Sequence, residues 1–394
     1  AHTPRCHSLA VGLDGAYGHS GFNYREGKDT TAAMLASSDL GVGINRAEAG
    51  LWLNGELRKV DWYLSAGMQW YTRKGLNLNG TDLTGSERLL RIDAGAELPL
   101  FGGTAGLDYR QKTASYDWTG LYGANYGNFT TLTLSPYWKI TWRDIETRLG
   151  LNMDIRTGAG NKFLLSPMVT ARYNVNEQIK VFAGVTGGIK DNSMRTLAGI
   201  SPYWSEVNRI RDGYELMNAS IGASYSQGSW LTLSLRGGYR HTIDELFQTV
   251  QDSLIITSQL KQEGCDVFYA RLDADMQFAD RAQVKMDLTC NGYTGKYSDG
   301  ILALKPVLEG SLFGKVNIIP GLDAMLTYRA MVFGKVDGNR MPMINDLALT
   351  FDYDFRPNLS FYLTGNRLAG GNYYYYAGYR AIKPSVLAGL TYRF

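Results

Sequence analysis

The sequence predicts an all-β fold: a single transmembrane antiparallel up-and-down β-barrel of about 18 strands, within a range of 14 to 20. Three observations predict it. Apolar and polar side chains alternate with a period of two, tight turns alternate with long polar connections, and 394 residues contain 46 Gly but only 10 Pro. In addition, no run approaches the ~18 consecutive apolar residues that a membrane-spanning helix requires.

The alternation is sustained over segments of about a dozen residues, as in 60–73, 144–157 and 281–291. In 144–157 the odd positions are mostly apolar and the even positions mostly polar: Ile145, Thr147, Leu149, Leu151, Met153 and Ile155 against Glu146, Arg148, Gly150, Asn152, Asp154 and Arg156. This is the period of a strand with one apolar and one polar face. In a barrel the polar face turns inward, because turning Arg148 toward lipid would cost roughly 2–4 kcal/mol.

The connections between strands are of two kinds, which indicate two different rims of the barrel. Tight turns are predicted near 59–60, 101–103, 143–144, 176–177, 228–229, 279–280, 320–321 and 356–357. Longer polar loops are predicted near 19–43, 75–85, 117–127, 158–161, 191–213, 244–264, 297–302, 336–343 and 369–381. Short turns on the periplasmic rim and long extracellular loops are typical of outer-membrane barrels. We expect residues 1–394 to form one barrel domain, with both termini on the periplasmic rim.

Two further expectations follow from a bilayer environment. The barrel should be closed, because lipid offers no partner to an unpaired backbone group. Aromatic residues should gather near the strand ends, and the candidates are Trp62, Trp70, Trp138, Trp142, Trp230, Phe278, Tyr353, Phe355, Tyr392 and Phe394. The soluble alternatives are a β-propeller and stacked β-sandwiches. Propeller strands are shorter and no repeat of ~40–45 residues is present, and a soluble sheet would leave few charges on an inner layer.

Charge and cysteine content exclude several function classes. Lys and Arg total 40 against 37 Asp and Glu, and the sequence contains no block of basic residues. A nucleic-acid partner is therefore not indicated. The three cysteines are too scattered for a zinc site or a disulfide framework. By strand parity Cys265 points inward and Cys290 outward, so both are expected to be free, buried thiols. No cofactor and no metal are expected, and the expected surroundings are outer-membrane lipid and lipopolysaccharide.

Catalysis is not indicated by the four histidines. His241, followed by Asp244 and Glu245, is the nearest approach to an acid–base constellation. No serine is spaced as a nucleophile beside it, so a polar loop is the better interpretation, and the chain is not expected to be an enzyme.

Two groups of residues are candidates for function. Charges on the inward-facing parity are candidates to line the lumen: Arg148, Asp154, Arg172, Lys180, Arg236, Arg240, Arg271, Asp273, Asp275, Lys285 and Asp287. They suit either a self-neutralising network that stiffens the wall or a selectivity filter. Aromatic and Arg residues of two long loops are candidates for ligand or partner binding: Tyr203, Trp204, Arg209, Arg211, Tyr373, Tyr374, Tyr375 and Tyr376.

The segment 366–394 resembles the ending of TonB-dependent receptor barrels, especially those of the Bacteroidota. The matching positions are Asn366 at a strand end, the Tyr-rich loop Tyr373 to Tyr376, Pro384 before the last strand, and Gly389, Tyr392 and Phe394 within or after it. The resemblance implies an outer-membrane location, with several passes through the membrane. That family has a 22-stranded barrel preceded by a plug domain. Because the first strand here begins near Cys6, we expect a barrel without a plug.

Two functions are compatible with these features of the sequence. The first is passage or uptake of a solute, as a porin or a receptor-like channel. The second is a structural or accessory role in a larger outer-membrane complex, such as a lipoprotein-containing uptake or protein-insertion machinery. The second would make other outer-membrane proteins or lipoproteins its partners.

Overall fold

The computed structural model describes residues 6–23, 41–78, 81–118, 127–158, 162–200, 204–206, 211–249, 258–279, 281–294, 305–336, 339–340, 342–371, 373–376, 379–380 and 384–393. Within these ranges the one helix, α1, covers Met194–Ile200. No helix in this part of the chain is long and apolar enough to cross a membrane.

Eighteen antiparallel strands form one up-and-down sheet, which confirms the predicted fold class and strand count. They are β1 Cys6–Asn23, β2 Gly41–Leu57, β3 Val60–Leu78, β4 Thr81–Leu100, β5 Gly103–Trp118, β6 Phe129–Trp142, β7 Ile145–Thr157, β8 Lys162–Asn174, β9 Ile179–Lys190, β10 Gly213–Gln227, β11 Leu231–Thr249, β12 Ser258–Phe278, β13 Ala282–Thr294, β14 Pro306–Ile319, β15 Leu322–Phe333, β16 Ile344–Arg356, β17 Leu359–Asn366 and β18 Ser385–Tyr392. Each strand forms its ladders with the strands next to it in the chain.

The eight tight turns lie within one or two residues of their predicted positions and form one rim. Four non-glycine residues in them adopt positive φ: Arg58 at 60°, Phe101 at 49°, Arg143 at 53° and Ala279 at 49°. Arg58, Phe101 and Arg143 lie in two-residue connections, whereas three residues separate the paired Phe278 and Ala282 on either side of Ala279. Two-residue hairpins favour turns with positive φ, because their twist matches that of the flanking strands. The geometry of the hairpin therefore overrides the ordinary side-chain preference at the first three positions.

Two of the predicted loops are mostly strand. The loop predicted at 75–85 is replaced by a continuing hairpin, in which Leu76 pairs with Leu83 and Leu78 with Thr81 after a register shift beyond Arg73. The loop predicted at 244–264 is shortened in the same way, because β11 extends to Thr249 and β12 starts at Ser258. Hydrogen bonding between neighbouring strands thus continues beyond the ~9–11 residues that a strand needs to cross a bilayer.

The two faces of the sheet differ as the alternation predicts. In β7 the outward Leu149, Leu151 and Ile155 are exposed, whereas the inward Asp154 and Arg156 are buried. Aromatic side chains at or next to the tight-turn rim are exposed, namely Trp142, Trp230, Phe278, Tyr353, Phe355 and Tyr392, as expected of an interfacial girdle. Phe394 lies outside the described residues.

The predicted closure of the barrel is not made by a ladder between its first and last strands. Within the described residues, β1 pairs with β2 and β18 pairs with β17, and no backbone ladder joins β1 to β18. The sheet nevertheless curves round a central lumen, because the connection between β9 and β10 reaches across to side chains on β2 and β4.

The two described cysteines form no disulfide bond with each other; Cys265 is buried and Cys290 is exposed. The expectation of a buried Cys290 is therefore wrong. Cys290 shares the outward face of β13 with Met286 and Leu288, where lipid rather than protein would cover it.

Candidate functional site

The connection between β9 and β10 spans residues 191–212, and we call it the strap; in its described part, helix α1 reaches into the lumen. Its helix α1 starts after Ser193, whose hydroxyl accepts a hydrogen bond from the Thr196 amide at 3.3 Å. This is an N-cap, which satisfies a free amide of the first helical turn. Met194 and Leu197 of α1 are fully buried, so the helix packs against the wall rather than standing in solvent.

Each end of the strap is fixed to the same lysine on β5. Lys112 Nζ lies 2.7 Å from Asp191 Oδ1 and 2.6 Å from the carboxylate of Asp212. Arg91 of β4 forms a second ion pair with Asp191. Burial opposes ionisation of Asp191, but Lys112 and Arg91 outweigh it and hold the pKa of this carboxyl below its ordinary value. Asp191 therefore attaches the strap to the wall as an ionised carboxylate.

Helix α1 extends the strap to the far side of the lumen. The Met194 amide donates a 2.8 Å hydrogen bond to Glu87 Oε2 of β4. The next residue, Arg195, forms an ion pair with Glu48 of β2. Since the strap starts at β9, these contacts cross the barrel interior rather than follow the wall.

A third set of contacts holds the returning end of the strap. The Arg211 guanidinium donates to both carboxylate oxygens of Asp244 on β11, each at 3.0 Å. The Arg211 amide donates to Gln262 Oε1 of β12 at 2.9 Å. Arg156 of β7 donates to the Asp212 carbonyl oxygen at 2.9 Å. Bidentate Arg–carboxylate pairs fix orientation as well as distance, so this end of the strap is held rigidly.

Against the strap lies a chamber of about 860 Å³. Its lining comes from strands β3 to β10 together with Asp191 and Asp212 of the strap. The volume lies within the 300–1,000 Å³ typical of small-molecule sites. Unlike most such sites, its lining is dominated by charged and polar side chains.

The chamber wall carries charges of both signs, and most of them form neighbouring pairs. Arg110 Nε lies 2.8 Å from Asp93 Oδ1, and Arg148 Nη2 lies 2.9 Å from Asp108 Oδ2. The Tyr63 hydroxyl also donates to Asp108, at 3.1 Å. Each cation of these two pairs therefore lies beside an anion.

A second recess, of about 410 Å³, contains four of the other candidates: Asp273, Asp275, Lys285 and Asp287. Arg271, the neighbour of Asp273, forms an ion pair with it at 2.7 Å. Lys285 Nζ lies 3.5 Å from Asp275, and Asp287 accepts a hydrogen bond from the Ser311 amide at 3.0 Å.

The remaining lumen candidates are dispersed. Arg172 lies 3.8 Å from Glu146, and Arg240 lies 3.9 Å from Glu215. The Arg236 guanidinium stacks over the Phe182 ring, with its Cζ 4.9 Å from the ring centroid. Asp154, which lines the chamber, accepts a 3.1 Å hydrogen bond from the buried Tyr214. Lys180 lies in the ladder between Asn174 and Ser224.

His241 does not meet the two carboxylates that follow it in the sequence. Its Nδ1 lies 2.5 Å from Asp266, which also accepts a 2.6 Å hydrogen bond from Tyr239. Asp244 instead pairs with Arg211, and Glu245 lies 2.9 Å from Lys190 and 2.8 Å from Lys305. In the described residues, no group of three or more His, Cys, Asp or Glu side chains is placed to hold a metal ion.

The loop candidates are only partly described. Tyr203 and Arg209 lie outside the described residues. Trp204 begins a short strand, Trp204–Glu206, that runs parallel to the start of β12. The backbone of Tyr374–Tyr376 pairs with Tyr379–Arg380. Tyr373 is buried against Phe333 and Ile344, and Arg211 anchors the strap.

Most of the residues that attach the strap are not among the candidates predicted from the sequence: Glu48, Glu87, Arg91, Lys112, Asp191, Arg195 and Asp212. One local signal was available. Asp191-Asn-Ser193 precedes a short apolar run and is typical of a helix start. The partners of these residues lie on strands far away in the chain, where no local pattern indicates them.

No protein-family model matches the chain, and no curated protein matches it. Solved structures do resemble it. The siderophore receptor PirA from Acinetobacter baumannii superposes with a TM-score of 0.70 at 12% identity, over 98% of this chain and 69% of that chain. The ferric-catecholate import receptor Fiu from E. coli gives 0.66 at 13% identity, over 98% and 72%.

The copper transporter OprC gives a TM-score of 0.63 at 12% identity, over 89% of this chain and 65% of that chain. At such low identity these likenesses establish the fold alone. The chain thus shares the barrel fold of the siderophore and copper uptake receptors.

Proposed function

We propose that this protein is an outer-membrane barrel for the uptake of a hydrophilic solute, with the strap closing the lumen and the chamber receiving the solute. The observation that carries the proposal is the strap itself. Its described residues are held by ion pairs to β2, β4, β5 and β11, on several sides of the lumen. A wall that served only as a scaffold would not require such a segment.

The chemistry of the chamber favours a polar solute. Its lining presents Arg110, Arg148, Asp93 and Asp108 in pairs, so a solute carrying both donors and acceptors is matched, whereas an apolar one is not. The predicted lumen residues that line the chamber, such as Arg148 and Asp154, would then contact the solute. The structural neighbours are a siderophore receptor, a ferric-catecholate import receptor and a copper transporter, so small metal complexes are the first solutes to test.

The apolar outer face and its aromatic rim support a location in the bacterial outer membrane, with lipid and lipopolysaccharide around the barrel. The loops opposite the tight turns would then face the exterior. Arg211 would act there as an anchor of the strap, and Tyr373 as a packing residue beneath its loop.

Two measurements test the proposal. Uptake of radiolabelled iron as a ferric catecholate, and of radiolabelled copper, is compared in cells with and without the protein. In parallel, protein purified from its native membranes is studied in planar bilayers, with the strap intact or with residues 194–210 replaced by a short Gly-Ser linker. We expect loss of uptake of one solute without the protein, and a several-fold larger conductance without the strap. Unchanged uptake of both solutes together with an unchanged conductance would contradict the proposal.

A further inference from the structure

The strap places a carboxylate of its own between two cations of the chamber wall. Asp191 lies 2.7 Å from Lys112 Nζ and also forms an ion pair with Arg91. Arg91 and Lys112 lie directly opposite each other in the ladder between β4 and β5, and all three side chains line the chamber. The wall thus presents a pair of cations to the chamber, and the strap supplies their anion.

The two cations differ in how accessible they are. The side chain of Lys112 is 9% exposed, and that of its second partner, Asp212, is 0% exposed. The side chains of Arg91 and Asp191 are 37% and 31% exposed. A solute in the chamber therefore reaches the pair between Arg91 and Asp191, whereas the pair between Lys112 and Asp212 is covered.

Asp191 is also the carboxylate that can leave its partner. The carboxylates paired with Arg110 and Arg148 are Asp93 and Asp108, and both belong to the ladder between β4 and β5. Asp191 follows the last residue of β9 and lies outside every described ladder. A competing anion can therefore displace Asp191 together with the strap, whereas the sheet fixes the backbone of the other two.

Exchange of one carboxylate for another conserves the charge of the site. Asp191 is ionised at neutral pH, because its pKa lies below its ordinary value. An incoming carboxylate replaces the ion pair that Asp191 gives up, so no cation is left without a partner. A tethered group, however, acts at an effective concentration in the millimolar range. A solute with a single carboxylate would therefore compete poorly with the strap.

A second cation lies beside Arg91, where it can hold a second carboxylate. Arg110 precedes Lys112 by two positions on the same face of β5, which makes it the diagonal neighbour of Arg91. Diagonal neighbours on adjacent strands have Cβ atoms ~7–8 Å apart, and a short dicarboxylate can bridge their side chains. The Arg110 side chain is 73% exposed. Within the described residues it bonds to Asp93 through Nε alone, which leaves its two terminal nitrogens for a solute.

Displacement of Asp191 would reach helix α1 directly. The Asp191 carboxylate accepts a hydrogen bond from the Ser193 amide at 3.1 Å, and Ser193 caps the helix. Leu197, one turn further along, is fully buried. Loss of the contact at Asp191 therefore loosens the start of the helix and uncovers Leu197.

We propose that Arg91 and Arg110 bind a short dicarboxylate, which takes the place of Asp191 on Arg91 and thereby loosens the strap. The ligand is a carboxylate because the site already binds one, and Arg pairs with carboxylates in a bidentate geometry. This inference rests on the proposed function, since it places the solute in the chamber. Solute binding and attachment of the strap then exclude each other at Arg91.

Binding is measured by equilibrium dialysis of radiolabelled succinate against the purified protein. Asp191→Asn removes the competing carboxylate and keeps Arg91, so we expect it to bind succinate at least fivefold more tightly than the native protein. Arg91→Met should lose this binding, and the uncharged succinamide should not compete. Glu309→Gln is the matched control. It also takes a carboxylate from an arginine, Arg329, but outside the chamber, so its affinity should equal that of the native protein.

The response of the strap is measured with Asp191 in place, through labelling of Leu197→Cys by a polar maleimide at constant ionic strength. The native cysteines are replaced with Ser. Labelling should become at least threefold faster as succinate approaches saturation, and succinamide should have no effect. This measurement remains decisive if the Asp191→Asn protein does not fold.

Two results would overturn the proposal: binding in Asp191→Asn that is no tighter than in the native protein, or a labelling rate that does not depend on succinate. The proposed function fails on different evidence, namely unchanged metal uptake together with unchanged conductance after replacement of the strap. A barrel that conducts more without the strap but ignores succinate would keep the proposed function and exclude this ligand.

Discussion

Lys112 on β5 and Asp212 at the returning end of the strap form a buried ion pair, with Nζ 2.6 Å from the carboxylate. The same ammonium lies 2.7 Å from Asp191 at the other end of the strap. One side chain thus holds both ends of the 22-residue strap at a single point on the wall. Asp212 is almost completely buried at this point.

Replacing Lys112 with Met should release the strap. Removing one partner of a buried ion pair typically costs ~3–5 kcal/mol, and here both strap ends lose their cation. The measurement is labelling of Leu197→Cys with a polar maleimide, in a background whose native cysteines are Ser, because Leu197 is fully buried. We expect slow labelling with Lys112 present and at least tenfold faster labelling in Lys112→Met. Lys139→Met is the matched control, because Lys139 pairs with Glu97 away from the strap, and its labelling rate should stay low.

The contact between Arg195 and Glu48 can be tested by exchanging charges. Glu48→Arg places two guanidinium groups together, which should lift α1 from β2 and raise the single-channel conductance. The double variant Glu48→Arg with Arg195→Glu restores an ion pair and should return conductance toward that of the native protein. A double variant as conductive as Glu48→Arg would show that this pair does not hold the helix.

Acid should loosen the strap only at low pH. The pKa of Asp191 lies below its ordinary value because Lys112 and Arg91 outweigh the effect of burial. The stabilisation from ionised Asp191 is therefore fully present above its unfolded-state pKa of ~3.9. It is lost as the pH falls through the lower folded-state pKa.

Conductance measured from pH 7 to pH 3 should accordingly stay low until below about pH 4 and then rise. Asp191→Asn should conduct more already at pH 7 and should show a smaller rise in acid. Asp93→Asn is the control, since Asp93 pairs with Arg110 on the wall, and its profile should follow that of the native protein. A steep rise between pH 7 and pH 5 would contradict this prediction.

Adjacent residues on β13 should respond oppositely to the same substitution. Leu288 faces outward near the middle of its strand, whereas Thr289 faces inward, opposite Arg271 and Glu309. Arg on a lipid-facing site near the bilayer midplane costs ~2–4 kcal/mol. Unfolding in lipid vesicles should show that loss for Leu288→Arg and less than ~1 kcal/mol for Thr289→Arg, since a lumen-facing charge stays hydrated.

The two described cysteines should differ in reactivity. Cys290 is exposed and Cys265 is buried. N-ethylmaleimide applied in mild detergent should modify Cys290 and leave Cys265 intact until the barrel is unfolded. Peptide mass spectrometry distinguishes the two sites, and equal modification of both in the folded protein would contradict the assigned strand parity.

The sequence predicted the local geometry well, and for physical reasons. In β7 the alternation from Ile145 to Arg156 is required by an apolar exterior and a polar interior. The face that a residue occupies can therefore be predicted from its immediate neighbours in the sequence. Turns such as Pro320-Gly321 are likewise local. The predicted loop at 75–85 was wrong, although Leu76-Asn77-Leu78 still alternates and the Asn-Gly pair that follows is a hairpin signal.

The residues of the site could not be predicted in this way. Arg148 and Asp154 were predicted to face the lumen from parity alone, and both line the chamber. Their partners depend on which strands are neighbours and on how the sheet curves. The parity of a residue gives no information about either. His241 illustrates the difference, since it pairs with Asp266 across a ladder rather than with its neighbours Asp244 and Glu245.

By itself, then, the sequence determined the all-β class, the strand number, the turns and the inward or outward direction of most side chains, because each depends on neighbours within a few residues. Only the tertiary structure decided that helix α1 lies across the lumen, that Lys112 joins the two ends of the strap, and that no ladder joins β1 to β18 within the described residues. These features depend on contacts between residues far apart in the chain, such as the pair between Arg195 and Glu48, and the curvature of the whole sheet brings those residues together.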